Sequence, residues 1–243
     1  LKTTQVALIT GAARRIGECI ATRLHAEGFA VVLHYHQVSS ASLCERLNAK
    51  RPHSAVAIQA DLQDLHAIKL LVGKSIQEWD RLDVMVHNAS TFFPTPVEKS
   101  TEIEWNNLMG VNAKAFFFLA KEAAAALRKS KGSIVGIGDI HGERPLKNYA
   151  LYSTAKAALL MLGKALAKEL APVRVNTVSP GAILWPEEEN KLDEATKAAI
   201  IDRTLLKCQG DPLAVANAVN YLVSEAEYVT GSNLIVDGGS QWR

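Results

Sequence analysis

Tyr152 and Lys156 stand four residues apart in YSTAK. They lie within a run from Ala150 to Leu170 whose apolar spacing predicts a helix, so both side chains leave one face. A phenol with an ordinary pKa of about 10 is a poor acid at neutral pH. A lysine ammonium one turn away is expected to stabilise the phenolate and lower that value, which suits the tyrosine to protonating a substrate during a reduction. Thirteen residues upstream, IVGIGDIHG carries Asp139, whose carboxylate should oppose ionisation of the phenol. The three groups are expected to titrate as a set. A loop aspartate that caps the following segment is the alternative reading of Asp139.

These side chains need a scaffold. Short β-rich runs (QVALIT, AVVLHY, AVAIQA, LDVMVH, GSIVGIG, VRVNTVS and NLIVDG) alternate with helical stretches such as Ile16 to Glu27 and Ala113 to Leu127. Such alternation predicts an α/β fold with a doubly wound parallel sheet and helices on both faces. The strand runs are mostly continuously apolar, as burial on both faces requires. At 243 residues and 48% hydrophobic, the chain is read as one domain, 1–243, without a Pro-, Gly- or Ser-rich linker. One irregular stretch, residues 182–210, contains WPEEEN and a charged helical segment and is read as a substrate lid.

A formal net charge of +2 with scattered Lys and Arg argues against a nucleic-acid or membrane surface and leaves a small molecule as the expected partner. Cys19, Cys44 and Cys208 lie far apart without metal-ligand spacing. Their odd number argues against a disulfide framework, so a reducing, cytoplasmic setting and no metal are expected. No apolar run approaches the roughly 20 residues of a spanning helix, and LKTTQVALITG does not read as a secretion signal.

TGAARRIGECIA follows the first strand run and opens the first helical one, where a glycine turn lets backbone amides approach a pyrophosphate. Gly11 and Gly17 are the expected glycines. Arg15 takes the middle glycine position, between Arg14 and Ile16. A guanidinium there suits recognition of phosphates or substrate, and a solvated helix-start arginine is the plain alternative. After the second strand, LHYHQVSSAS places His34, Tyr35, His36, Ser39 and Ser40 where a carboxylate would accept bonds from a ribose 2′-hydroxyl. The missing carboxylate and the charge of Arg14 favour NADPH over NADH. For each histidine, packing and phosphate contact remain equally open. Asp61, followed by Leu62, is read as a partner of the adenine amine or as a helix N-cap. HNAS at 87–90 sets Asn88 and Ala89 beside the adenosine ribose, and Ser90 near the ring or cofactor backbone.

Taken together, TGxxxRxG, Asp61, NAS at 88–90, GVNA at 110–113, YSTAK, SPG at 179–181 and VDGG at 236–239 resemble the short-chain dehydrogenase/reductase family over nearly the whole chain. Within it the sequence is most similar to pteridine reductases, where the glycine-loop arginine, LHYH, NASTFFPTP and the aspartate thirteen before the tyrosine recur. The resemblance implies a Rossmann-like sheet of about seven strands, NADPH as cofactor and a homotetramer. It implies Asp139, Tyr152 and Lys156 as the catalytic set, with Asn112 supporting a water near Lys156, and adds Pro180 and Gly181 to the cofactor site. It also places Phe92 as a stacking partner for a flat ring, with Arg15, Ser90 and Trp185 bordering the substrate; a core or surface tryptophan is the alternative for Trp185. Gln37 stands where some relatives carry arginine.

The family usually has a serine at position 139. A neutral hydroxyl can donate to the alkoxide formed when a ketone is reduced, whereas an ionised aspartate cannot donate and repels that charge. For a pterin C=N bond the logic reverses, because a carboxyl can relay protons to ring nitrogen and stabilise a cationic transition state. The expected activity is therefore NADPH-dependent reduction of dihydropterins of biopterin, monapterin or folate type, with oxidised pterins left open. One rival is a ketone or 3-oxoacyl reductase of the same family. A second, of another class, is a non-catalytic NADPH sensor, which would have no use for Tyr152 and Lys156. The closing Trp242 and Arg243 are read as reaching a neighbouring subunit's pocket or as fraying.

Overall fold

The computed structural model describes residues 4–185 and 192–242. Seven strands form one parallel sheet: β1 (Val6–Ile9), β2 (Ala30–Tyr35), β3 (Ala55–Gln59), β4 (Val84–His87), β5 (Ser133–Ile137), β6 (Arg174–Pro180) and β7 (Asn233–Val236). Their spatial order is β3-β2-β1-β4-β5-β6-β7. All seven strand runs of the sequence become strands, and the Rossmann-like architecture is the one expected.

Successive side chains of a strand point to opposite faces, and the core divides accordingly. Val6 and Leu8 of β1 join one apolar cluster, and Ala7 and Ile9 join the other. The first cluster is covered by α3 (Leu65–Gln77), α5 (Ala115–Ser130) and α6 (Ala150–Glu169), and the second by α1 (Arg15–Ala26), α2 (Ala41–Lys50) and α8 (Pro212–Ser224). Phe116, fully buried, fills the first cluster beneath β4 and β5. A strand packed on both sides has no polar face, which explains the unbroken apolar runs.

Helix starts follow local chemistry. Asp64 caps α3 by accepting the His66 N–H at 2.8 Å, and Asp211 caps α8 in front of Pro212. Thr101 and Glu104 close a reciprocal capping box on α4 (Glu102–Met109). Between α4 and α5, Gly110–Lys114 form a single π-turn with Asn112 at its centre. The stretch read as a lid includes α7 (Glu194–Asp202), capped by Asp193. The rest of WPEEEN after Trp185 lies outside the described residues, as does Arg243.

Candidate active site

Strand order reverses between β1 and β4, and at such a switch point the loops leaving the carboxyl ends of the strands part to form a crevice. Here that crevice is a cleft of about 770 Å³. Its wall includes Gly11, Arg14, Arg15, Ile16 and Gly17 after β1, and His34, Tyr35 and His36 after β2. Asp61 and Leu62 after β3, and Asn88, Ala89, Ser90 and Phe92 after β4, complete it. Gln63, Thr91, Asn107 and Val111 also line it, and sequence reasoning did not select them. Ser39 is not part of this wall; its hydroxyl accepts the Ala41 N–H at the start of α2.

The floor of the cleft is tied together by neutral groups. Thr10 Oγ1, fully buried, accepts the N–H of both Asn88 and Ala89 at 3.0 Å. The Asn88 amide donates to the carbonyls of Thr10 and Gly11, each at 3.0 Å. Gly11 has φ +63, and a Cβ at Gly17 would lie 2.1 Å from the Gly11 carbonyl oxygen, so both positions require glycine. His34 accepts the Gly11 N–H on Nδ1 at 3.1 Å, which makes Nε2 the donor to the Ala60 carbonyl at 3.1 Å. Both ring nitrogens are thus engaged inside the protein, and burial lowers its pKa to about 4. His34 thus makes the packing contacts open to it and also forms part of the cleft wall. Asp61 accepts the Gln63 N–H in a local turn, and the cap of α3 is Asp64 instead.

Arg15 adopts φ +56, the left-handed conformation glycine takes freely and an arginine adopts at a cost of about 1–2 kcal/mol. Its guanidinium donates to the Trp185 carbonyl at 3.1 Å and to that of Leu184 at 3.5 Å. This arginine therefore joins the glycine loop to the first residues of the stretch read as a lid. The other end of that stretch is held by Gly210 N–H on the Ala182 carbonyl and by Gln209 on that of Ile183.

At the reacting end, Tyr152 OH donates to Asp139 Oδ2 at 2.6 Å, and Asp139 Oδ1 accepts the His141 N–H at 2.8 Å. One oxygen caps the turn Ile140–Gly142, as the alternative reading of Asp139 expects, and the other accepts the hydrogen bond of the phenol. Lys156, 3% exposed, donates from Nζ to the Ile137 carbonyl at 2.9 Å and lies 5.7 Å from the Tyr152 ring centroid. Burial first, and the Asp139 carboxylate second, push the Tyr152 pKa well above 10, while a hydrogen bond with Ser90 pulls against them. This departs from the expectation that Lys156 lowers it. The ammonium is aimed at Ile137 and the tyrosine ring, and the charge touching the hydroxyl is a carboxylate. Lys156 itself is lowered to about 8 by burial, against the pull of Asp139.

Ser90 Oγ donates to Asn112 Oδ1 at 2.6 Å, and the Asn112 amide donates to the Leu108 and Thr91 carbonyls. Phe92 stacks on Tyr149 with centroids 4.6 Å apart and meets Tyr152 edge-on at 4.8 Å. Sequence reasoning assigned Tyr149 no role; its place three residues before Tyr152, at the start of α6, is the signal it left. Pro180 closes β6 and Gly181 follows it, packed against Asp237. Arg144, after Asp139, donates to the carbonyls of Ser240 and Gln241 and so ties the last turn, Ser240–Trp242, to the loop that carries Asp139.

A family profile described as enoyl-(acyl carrier protein) reductase matches residues 11–241. The chain is 36% identical to pteridine reductase 1 of Leishmania tarentolae, over 98% of this chain and 96% of that protein. The chain is a short-chain dehydrogenase/reductase. It is also 33% identical to glucose 1-dehydrogenase 2 of Bacillus subtilis, over 98% of this chain and 95% of the relative. It is 31% identical to a 3-oxoacyl-[acyl-carrier-protein] reductase of Staphylococcus aureus, with 98% and 99% covered. It is an NAD(P)(H)-dependent oxidoreductase, and its site fits that cofactor. The Gly11–Gly17 cradle, which a Cβ would fill, lets a pyrophosphate reach the start of α1, where no side-chain cap bond forms. No helix among the described residues is long and apolar enough to cross a membrane.

Proposed function

We propose that this reductase uses NADPH to reduce the ring C=N bond of a dihydropterin or dihydrofolate to the tetrahydro form, working as a cytoplasmic homotetramer. The observation that carries this reading is the 2.6 Å bond from Tyr152 OH to Asp139. When bound, a reduced nicotinamide would supply hydride to an electron-poor carbon. The chain's own groups then decide where the proton goes. Tyr152, with its pKa raised, holds its proton at neutral pH and keeps it hydrogen-bonded to a carboxylate. Tyr152 can deliver that proton toward a ring nitrogen, directly or relayed by Asp139, whose carboxylate offsets positive charge gathering on the ring, whereas it would oppose an alkoxide in the same place.

Phe92 and Tyr149 offer flat faces beside Tyr152, suited to a planar heterocycle. Ser90 lines the cleft next to them, and Arg15 and Trp185 meet at its edge. For the nucleotide, Arg14 and His36 stand at the rim after β1 and β2, and β2 ends without a carboxylate that would repel a 2′-phosphate. That the relative from Leishmania is named a pteridine reductase supports the same reading. The relatives named for glucose and 3-oxoacyl substrates favour carbonyl reduction as the second reading.

Steady-state NADPH oxidation with dihydrobiopterin, dihydrofolate and a set of ketones, each repeated with NADH, separates the two. Turnover of the pterins with NADPH and little with ketones is expected; ketone turnover without pterin turnover overturns the reading. Asp139→Ser is expected to lower pterin kcat/KM by roughly tenfold or more and to spare ketones. Equal loss on every substrate would assign Asp139 to folding.

A further inference from the structure

His87 closes β4 and is 1% exposed, yet the chemistry above makes no use of it. Its ring stacks on Phe116 with centroids 5.6 Å apart and lies between two polar partners. On one side Nδ1 is 3.3 Å from Thr10 Oγ1. On the other, Nε2 is 3.1 Å from the Val111 carbonyl. The tautomer follows from the neighbours. Thr10 Oγ1 already accepts two backbone N–H groups, from Asn88 and Ala89, which directs its own proton to Nδ1. Nε2 must then carry the ring hydrogen and donate it to Val111.

Val111 belongs to the π-turn Gly110–Lys114. In a regular α-helix its carbonyl would accept the N–H of residue 115. Here the Ala115 N–H bonds to the Gly110 carbonyl, and the Val111 carbonyl takes the imidazole N–H. The next residue is Asn112, whose carboxamide holds Ser90 at 2.6 Å beside Tyr152. Single π-turns of this kind recur at functional sites, where they set a side chain that a continuous helix would misplace.

We propose that His87 is a positioning residue for the reduction: its neutral Nε2–H holds the π-turn open and thereby keeps Asn112 and Ser90 in register with Tyr152. The inference rests on the reading that Tyr152 delivers the proton, and not on which substrate receives it. Burial, aided by the charge of Lys156, lowers the histidine's pKa to about 3, so the donor state persists across the working range.

Three single variants, one double variant and one spectrum test it, with NADPH oxidation followed on whichever substrate of the panel the wild-type protein reduces. His87→Leu keeps an apolar group on Phe116 and removes the donor; it is expected to lower kcat by roughly tenfold with the KM for NADPH changed less than about twofold. His87→Gln can place an amide N–H near the Val111 carbonyl and is expected to recover most of that loss. Asn112→Ala is expected to reproduce the kcat defect and to add little to it when combined with His87→Leu, because both act through one turn. Wild-type kcat in His87→Leu, or equal loss in the Leu and Gln variants, would overturn the proposal. Imidazole nitrogen shifts of the wild-type protein need no substitution to survive folding: a neutral Nε2–H ring at pH 5 and at pH 8 is expected, and an Nδ1–H or doubly protonated ring at pH 5 would overturn it. Absence of pterin turnover would leave all of these readouts intact, so the two failures are distinguishable.

Discussion

Beneath the glycine loop, Thr10, His34, His87 and Asn88 form a floor of neutral groups, each bonded to backbone or to one another. Around Tyr152 the groups instead carry charge or a transferable proton: the half-buried carboxylate of Asp139, a buried lysine and the buried phenol itself. A nucleotide needs a surface that does not change shape or charge, and neutral hydrogen bonds provide one. Proton transfer needs groups moved from their ordinary ranges, and burial beside a fixed partner moves them. The floor costs stability in acid, where its histidines would have to charge, while at the other end Tyr152 costs it in alkali and buried Lys156 below about pH 8.

Removing the transferable proton is the most severe way to separate these regions. Tyr152→Phe is expected to reduce kcat by on the order of 10²–10⁴-fold while the NADPH dissociation constant moves less than about twofold, as measured by single-turnover kinetics and fluorescence titration. A comparable loss of nucleotide affinity would show that the two regions are not separable. The reciprocal change is Gly17→Ala, whose new carbon meets the Gly11 carbonyl at 2.1 Å and the Asn88 amide at 2.6 Å. Its dissociation constant for NADPH should rise at least roughly tenfold, with turnover at saturation closer to wild type.

Thermal melts sharpen the contrast. His34 and His87 have folded-state pKa values of about 4 and about 3, below the unfolded value near 6.5. Between pH 6.5 and about 4 the unfolded chain binds protons that the folded chain does not, so their contribution is complete above pH 6.5 and is lost on acidification. Each histidine should remove about 1.4 kcal/mol of stability per pH unit in that window, and His34→Gln should give a shallower acid slope. An unchanged slope would mean that the floor admits protons. The mildest change is Arg15→Gly, which relieves the positive φ and cuts the link to Trp185. Substrate KM is expected to rise several-fold, with melting temperature unchanged or slightly higher.

Much of this was legible in the chain. Parallel strands buried on both faces have to be apolar without interruption, so QVALIT through NLIVDG marked the sheet in order. YSTAK announced the pair on α6 because helix geometry fixes which side chains share a face. The direction of the tyrosine's titration was not legible, since it depends on where the lysine nitrogen and the carboxylate end up in three dimensions. The floor was hidden for a related reason. Thr10 and His87 read as ordinary strand ends, and only the pairing of β1 with β4 brings them together. Tyr149 was passed over because stacking on Phe92 joins two loops distant in sequence.

The grip of Arg144 on the final turn also gives the molecule an optical probe. Trp242 stands on that turn, 77% open to water, while the same arginine belongs to the loop that carries Asp139. Indole emission from this position, once Trp79, Trp105 and Trp185 are replaced, should register a shift of that loop.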